Sequence, residues 1–589
     1  MALTPVVLAL TASPVARRVA DALGAPLHGR RGRVEGADAA FDDTMEHVRA
    51  LFAAGTPIVG VCAAGILIRA VAPLLADKRD EPPVVAVAEG GGAVVPLLGG
   101  HRGANALARR VAEALGVAAA VTTAGDAAFG IALDEPPAGW RLADPEAAGP
   151  AMARLLAGGG ARVEGDADWL AALPRGRDVA IAATMATAPG ADLHYAPLRA
   201  VLGVGASRGC PPEELAALAE AVLAEAGVSP FALAAIGTLD LKADEPAILA
   251  LASRLGAPLR LFGAAELEAE APRLATPSDV VFAEVGCHGV SEGAALALAG
   301  GEGRLAVTKR KSARATCALA LAPAPIVVAG GRARGKLSVV GIGPGQASWR
   351  TPEASRLIAE ADELVGYGLY LDLLGPLGLG KPRADFPLGG EEDRCRHALE
   401  RAGAGATVAL VCSGDAGIYA MAALVFELLD RPGAVSDAAA RVEVVVAPGV
   451  SALQAAAARA GAPLGHDFCA VSLSDLLTPR EDILRRLRAA AEGDFVVALY
   501  NPVSRARRTL LAEARDILLG HRPPDTPVLL ASNLGRPEER LAYRRLDALS
   551  VDEVDMLTVV LIGSSQSRIV ERGEGPRLYT PRGYARKSR

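Results

Sequence analysis

The stretch Leu-Ser-Val-Val-Gly-Ile-Gly-Pro-Gly at 337–345 constrains the fold of this chain more than any other segment. Leu337, Val339 and Val340 make a short apolar run rich in β-branched residues, and glycines at 341, 343 and 345 follow at once. Thr351 then offers an N-cap, Pro352 the first helical position and Glu353 a first-turn acid. Ala354, Leu357, Ile358, Ala361 and Leu364 recur at helical spacing, which predicts one helix carrying all five. A strand, a glycine turn and a helix in that order open a parallel α/β domain. Glycines suit such a turn because a ligand or another chain segment must come close to the backbone. A dinucleotide site fits poorly. The spacing is G-x-G-x-G, Pro344 removes an amide that a phosphate would use, and Asp362 and Glu363 precede the second candidate strand. A tight turn without any ligand is the plain alternative.

The length of 589 residues predicts three to five domains, and 51% hydrophobic residues are enough to bury several cores. A net charge of −6 argues against a general nucleic-acid surface. Cysteines at 62, 210, 287, 317, 395, 412 and 469 form no C-x-x-C pair. That suits a reducing cytoplasm and argues against a structural zinc or iron–sulfur site, so no metal is expected. The first ten residues lack a basic segment and read as a strand rather than a signal peptide. The apolar stretch 408–429 is broken by Gly414, Asp415, Gly417 and Glu427, so no membrane span is expected.

In the first half, 6–10 reads as a strand, 14–23 as a helix, 57–62 as a strand and the residues to 75 as an apolar helix. A charge run at 77–81 reads as a solvated loop. Strands at 84–87 and 93–98 flank Gly90-Gly91-Gly92 as a hairpin. The loop Gly99-Gly100-His101-Arg102-Gly103-Ala104-Asn105 follows, before a helix to about Leu115. Glycines and amides at a helix start, with Arg102 and Asn105, suit a carboxylate, and His101 suits a general base. A capped loop whose histidine bonds the backbone is the other reading.

Several segments here resemble the cobalt-precorrin-5A hydrolase family: 66–75, Asp77-Lys78, the Pro-Leu-Leu-Gly-Gly-His loop and Val121-Thr122-Thr123. The loop is one glycine short of that family's pattern. Further on, Val201-Leu202-Gly203-Val204-Gly205, a helix from about Pro211, 238–245, Gly289-Val290-Ser291-Glu292 and Thr308-Lys309-Arg310-Lys311 resemble the second domain of the same family, in order. The resemblance implies opening of a lactone on a corrin precursor with release of acetaldehyde. Lys242 and Lys309 either bind substrate carboxylates or are plain surface lysines. Cys287-His288 lacks two further ligands and does not read as a metal site.

In the second half, apolar runs at 407–412, 442–446, 495–499, 527–531 and 557–562 read as strands, the last taken as the final one. Asp415 stands just past the first of these, at the end of a parallel sheet where ligands collect. The motifs Ser-Gly-Asp-Ala-Gly-Ile-Tyr, Leu-Tyr-Asn-Pro-Val-Ser, Met-Leu-Thr-Val-Val-Leu-Ile-Gly and Thr-Pro-Arg-Gly-Tyr follow in order. Over 336–589 the chain resembles the tetrapyrrole methylase family, and within it the precorrin-3B C17-methyltransferases.

The two resemblances together imply a multidomain α/β chain. Hydrolase-like domains at 1–135 and 198–322 flank a variable region at 136–197. A linker at 323–335 leads to a two-lobed methylase domain at 336–589, with a parallel-sheet lobe and a mixed-sheet lobe. They imply S-adenosylmethionine as methyl donor, contacted by Pro344, Ser413, Gly414, Asp415, Ile418, Ser451, Ala452, Asn501 and Leu534. They also imply a tetrapyrrole substrate, a homodimer, and methylation at C17 coupled to ring contraction. Arg505, Arg507 and Arg508 either bind that polycarboxylate or form an exposed basic helix face. A first half that only binds and hands over tetrapyrrole is the alternative to a hydrolase, and a methyl acceptor at another ring carbon the alternative to C17.

Overall fold

The computed structural model describes residues 3–75, 81–504 and 507–584. Five α/β layers follow one another along the chain. The first is a six-stranded sheet in the order Ala39–Phe41, Leu27–Arg30, Val6–Ala9, Ile58–Val61, Val84–Val87, Val94–Leu98, parallel except for its last strand. Its helix before the charge run ends at Val71 and a single 3-10 turn, Ala72–Leu74, completes it. Helix Ala104–Leu115 starts where the glycine–histidine loop ends.

Residues 136–197, read from sequence as a variable connection, build a sheet of their own. Strands Trp140–Leu142, Leu193–Pro197, Val179–Ala183 and Ala161–Gly165 lie side by side and enclose Leu155, Leu170, Ile181 and a fully buried Tyr195. Their apolar positions are interrupted by glycine and proline, which hides the strand period in the sequence. The third sheet orders Leu259–Phe262, Leu233–Leu239, Ala200–Ala206, Ala315–Leu321 and Arg304–Lys311. Its first three strands are parallel and its last two antiparallel.

The 323–335 segment is no free tether. Ile326 N donates to Leu198 O, Arg332 exchanges two backbone hydrogen bonds with Leu261, and Arg334 donates to the carbonyls of Arg441 and Val442. It stitches the third sheet to the fourth.

Strand Lys336–Gly341 is the hub of the fourth sheet, which is wholly parallel: Arg383–Phe386, Glu363–Tyr367, Thr407–Cys412, Lys336–Gly341, Glu443–Ala447. Thr351 caps helix Pro352–Glu360 by accepting the Ala354 amide, with Pro352 at its start. The helix stops at Glu360. Leu364 belongs to the next strand, where it is buried, so its agreement with the helical period is coincidental. In a dinucleotide fold the first strand would pair with the second; here it pairs with Thr407–Cys412 and Glu443–Ala447.

The fifth sheet is mixed, in the order Phe468–Ser472, Val496–Tyr500, Thr558–Ile562, Pro527–Ser532, Arg540–Arg545. Strand Thr558–Ile562 is not the last: Arg568–Arg572 and Gly575–Tyr579 form a small hairpin that pairs with Gly461–Ala462. Among the described residues no helix is long and apolar enough to cross a membrane.

Candidate functional site

The loops after three parallel strands of the fourth sheet meet at one crevice, and glycine lets them meet. Gly343 and Gly414 exchange backbone hydrogen bonds at 3.1 and 2.8 Å. A Cβ on Gly341 would lie 2.6 Å from Gly414 O, and one on Gly449 only 2.1 Å from the same oxygen. The first glycine turn therefore serves chain against chain. Asp415 closes the arrangement: its carboxylate accepts the Gly417 amide at 2.8 Å and the Gly449 amide at 3.0 Å. Ser451 then caps helix Ala452–Ala460 through a capping box with Gln454.

The fifth sheet supplies the opposite wall. Between them lies a cleft of about 190 Å³ lined by Pro344, Ser413, Gly414, Asp415, Ile418, Ser451, Ala452, Asn501 and Leu534. All nine positions named from sequence as cofactor contacts are brought together there. The sequence did not mark the other lining groups, among them Tyr370, Tyr419, Tyr500, Asn533, Arg536, Met556 and Leu557. Of these, Tyr419, Tyr500, Met556 and Leu557 sit inside the motifs quoted above and Asn533 is the neighbour of Leu534; Tyr370 and Arg536 carry no local signal.

Three of the five non-glycine residues with positive φ among the described residues stand on this cleft: Tyr419 at 51°, Asn501 at 49° and Asn533 at 53°. Such backbone costs roughly 1–3 kcal/mol per residue and persists where the surroundings hold it. Here the holders are visible. Tyr419 Oη donates to Ala470 O at 2.9 Å, Asn501 Nδ2 donates to Ser472 Oγ at 3.1 Å, and the Tyr500 oxygen accepts the Leu453 amide at 2.9 Å. Burial raises both tyrosine hydroxyls above their usual range, so they stay neutral donors and acceptors. Arg536 joins the two walls, its Nε donating to Pro344 O at 2.8 Å and its Nη2 to Ser413 Oγ at 3.4 Å.

The arginines proposed after the Tyr-Asn-Pro turn are placed elsewhere. Arg505 lies outside the described residues. Arg507 donates to Leu473 O at 3.0 Å and faces Asp475 at 3.6 Å. Arg508 pairs with Asp552 at 2.7 Å and precedes helix Thr509–Leu519 rather than lying on its face. In the first half, Asn105 is buried at the start of its helix while Arg102 is exposed. The side chain of His101 and the residues Asp77, Lys78 and Asp80 lie outside the described residues. Lys309 Nζ donates to Thr276 O at 2.9 Å, and His288 pairs with Glu268 at 2.8 Å. Among the described residues no three His, Cys, Asp or Glu side chains are placed to hold a metal.

Residues 336–550 match the model of the Tetrapyrrole (Corrin/Porphyrin) Methylases. A precorrin-3B C(17)-methyltransferase from Sinorhizobium sp is 50% identical over 252 residues, which is 43% of this chain and 98% of that protein. The chain belongs to the tetrapyrrole methylases. Residues 46–126 of this methylase match the Cobalamin synthesis G N-terminal model and 200–320 the Cobalamin synthesis G C-terminus model. A cobalt-factor III methyltransferase from Priestia megaterium is 41% identical over 254 residues, 43% of this chain and 46% of that protein. The crystal structure of the methyltransferase CobJ is 42% identical and covers 42% of this chain and all of its own, with a TM-score of 0.38.

Proposed function

We propose that this methylase is a bifunctional enzyme of corrin-ring assembly. Its second half transfers a methyl group from S-adenosylmethionine to C17 of precorrin-3B, or of its cobalt form, with ring contraction. Its first half opens the lactone of cobalt-precorrin-5A. The observation that carries the first statement is the convergence of nine motif residues, from five separate loops, on a single cleft between a parallel-sheet lobe and a mixed-sheet lobe.

The cleft suits the cofactor. Ile418, Leu534, Ala452 and Pro344 offer an apolar lining for a purine, and Asn501 and the backbone around Gly414 offer polar contacts. When bound, S-adenosylmethionine supplies a methyl group that is already electrophilic. The chain therefore needs to position and dehydrate, not to activate. The strained turns at Tyr419, Asn501 and Asn533 fix the walls, and the Asp415 bridge holds the loops at their closest approach. Ile418, Tyr419, Met556 and Leu557 are exposed at the cleft and offer an apolar surface to the flat face of a macrocycle. Arg536 is the described cation on the lining and suits a substrate or cofactor carboxylate.

Purified full-length protein incubated with S-adenosylmethionine and precorrin-3B should gain one methyl group at C17 by mass spectrometry and NMR. Methylation at another carbon would replace the C17 assignment. An absence of cofactor binding by calorimetry would refute the site. The family resemblance also carries a homodimer in the cytoplasm, with no nucleic-acid partner, and light scattering measures the dimer.

A further inference from the structure

A second cavity, of about 800 Å³, lies between the first and second sheets and shares no residue with the methylase cleft. Gly100 and Asn105 line it from the first sheet's side, Glu146 and Met152 from the second, and Asp134 and Glu135 between them. It is thus built onto the glycine–histidine loop, at a junction between two packed units where ligand sites concentrate.

Two features mark it as more than a gap. Asn105 is only 6% exposed and lines the cavity, set in the first turn of helix Ala104–Leu115 next to the glycine–histidine loop. An amide on the wall of a cavity can donate to a carbonyl oxygen bound there. The acid pair is also held in place. Tyr195, fully buried on strand Leu193–Pro197, donates its hydroxyl to Leu133 O at 2.6 Å. The Glu135 amide closes the turn onto Ala132 O at 3.3 Å.

We infer that this cavity is the hydrolytic site of the first half, with Glu135 its acid–base residue and the Asn105 amide its donor to the substrate carbonyl. The inference rests on the reading of the first half as a lactone hydrolase. The step balances without a cofactor. Water attacks the lactone carbonyl carbon while the Glu135 carboxylate takes its proton. The acyl C–O bond then breaks, and Glu135 returns that proton to the departing alkoxide. The products are a carboxylic acid that ionises in solution and an alcohol; the alcohol loses its O–H proton as the C–C bond joining its carbon to the ring breaks, so that acetaldehyde leaves while the bonding pair and a proton stay with the macrocycle. Asn105 Nδ2 donates to the oxygen on which charge develops.

One carboxyl can serve as base and then as acid when its affinity for protons sits near the working pH. Burial, joined by the charge of Asp134 and opposed by Arg109, pushes Glu135 up to about 7. Glu146 faces the same cavity, and the side chains of His101 and Asp126 lie outside the described residues.

The test uses the full-length protein and cobalt-precorrin-5A, with acetaldehyde followed by coupled reduction and lactone opening by mass. Wild type should turn over with an acid limb near pH 7. Glu135→Gln should lower kcat by about 10² or more while keeping methyl transfer by the second half. Asp134→Asn should move the acid limb to lower pH, since it removes a neighbouring negative charge, and this arm decides the matter if Glu135→Gln fails to fold. Asn105→Ala should cost about 10² in kcat. A Glu135→Gln rate within threefold of wild type, or an acid limb unmoved in Asp134→Asn, overturns the assignment. Loss confined to His101→Ala moves the base to the histidine and overturns it too. A wild type that binds the macrocycle but releases no acetaldehyde overturns the hydrolase reading itself, and this one with it.

Discussion

The Asp415 carboxylate accepts the Gly449 amide at 3.0 Å, joining the loops that follow two different strands of the parallel sheet. From sequence, Asp415 reads as an exposed loop acid whose replacement would leave stability almost unchanged. It is half-buried, and its second oxygen is taken by the Gly417 amide. Asp415→Asn therefore exchanges one charge-assisted bond for an amide that cannot accept it, a loss of about 1.5–3 kcal/mol. The methylase unfolding transition should drop by several degrees in calorimetry, and cofactor affinity by about tenfold or more. An unchanged melting temperature would show that the bridge contributes nothing.

Gly449 itself is irreplaceable for a steric reason. An alanine Cβ there would lie 2.1 Å from Gly414 O and 2.8 Å from Gly341 O, both backbone atoms that cannot swing away. Gly449→Ala should force the loops apart, costing about 1–3 kcal/mol in stability. Cofactor binding should fall by a larger factor than in Asp415→Asn. Gly92→Ala, where the added Cβ meets nothing within 4 Å, serves as the neutral control. Equal calorimetric titrations for the two alanine variants would sink the argument.

What the sequence disclosed follows from how local each signal is. The strand, glycine turn and capped helix at Lys336–Glu360 were legible because each part announces itself within a few residues. Leu364 misled because helix and strand periods coincide for one residue. The Arg568–Arg572 and Gly575–Tyr579 hairpin was missed because its first strand is wholly exposed and shows no apolar alternation. Arg536 and Tyr370 reach the cleft only through tertiary packing, so no spacing rule could collect them. Glu135 was invisible for the same reason: its chemistry comes from a cavity wall more than ten residues further along the chain, at Glu146 and Met152.

A buried histidine pair makes the first unit sensitive to acid. His28 Nδ1 and His47 Nε2 lie 3.0 Å apart, both side chains are buried, and His28 Nε2 faces the Leu379–Gly380 backbone of the methylase half. Burial lowers His28 to about 4, and burial with the charge of His28 lowers His47 to about 3. Both native values lie below the unfolded value near 6.5, so the unfolded chain takes up protons first. Stability should be full above about pH 6.5 and fall progressively as pH drops toward 4 and 3. Calorimetry from pH 8 to 4 should show this decline, and the His28→Leu/His47→Phe double variant should flatten it. A decline of the same steepness in that variant would place the sensitivity in other groups.

Arg508 and Arg536 should separate cleanly in their bearing on substrate binding. Arg508 is paired with Asp552, both side chains are exposed, and neither lines the cleft. Such a surface pair is worth about 0–1 kcal/mol, so Arg508→Ala should leave kcat and KM for methyl transfer within about twofold. Arg536 is different. It lines the cleft and donates from the fifth-sheet side to Pro344 O and Ser413 Oγ on the other. Arg536→Ala removes both the cation and the clamp, so affinity for the polycarboxylate substrate or for the cofactor should fall by about tenfold or more. Arg536→Lys keeps the charge but loses the forked geometry that reaches two acceptors, and should recover only part of that loss. Full recovery in the lysine variant would mean that charge alone matters there. Normal kinetics in Arg536→Ala together with a large defect in Arg508→Ala would return the substrate site to the turn after Tyr500 and Asn501.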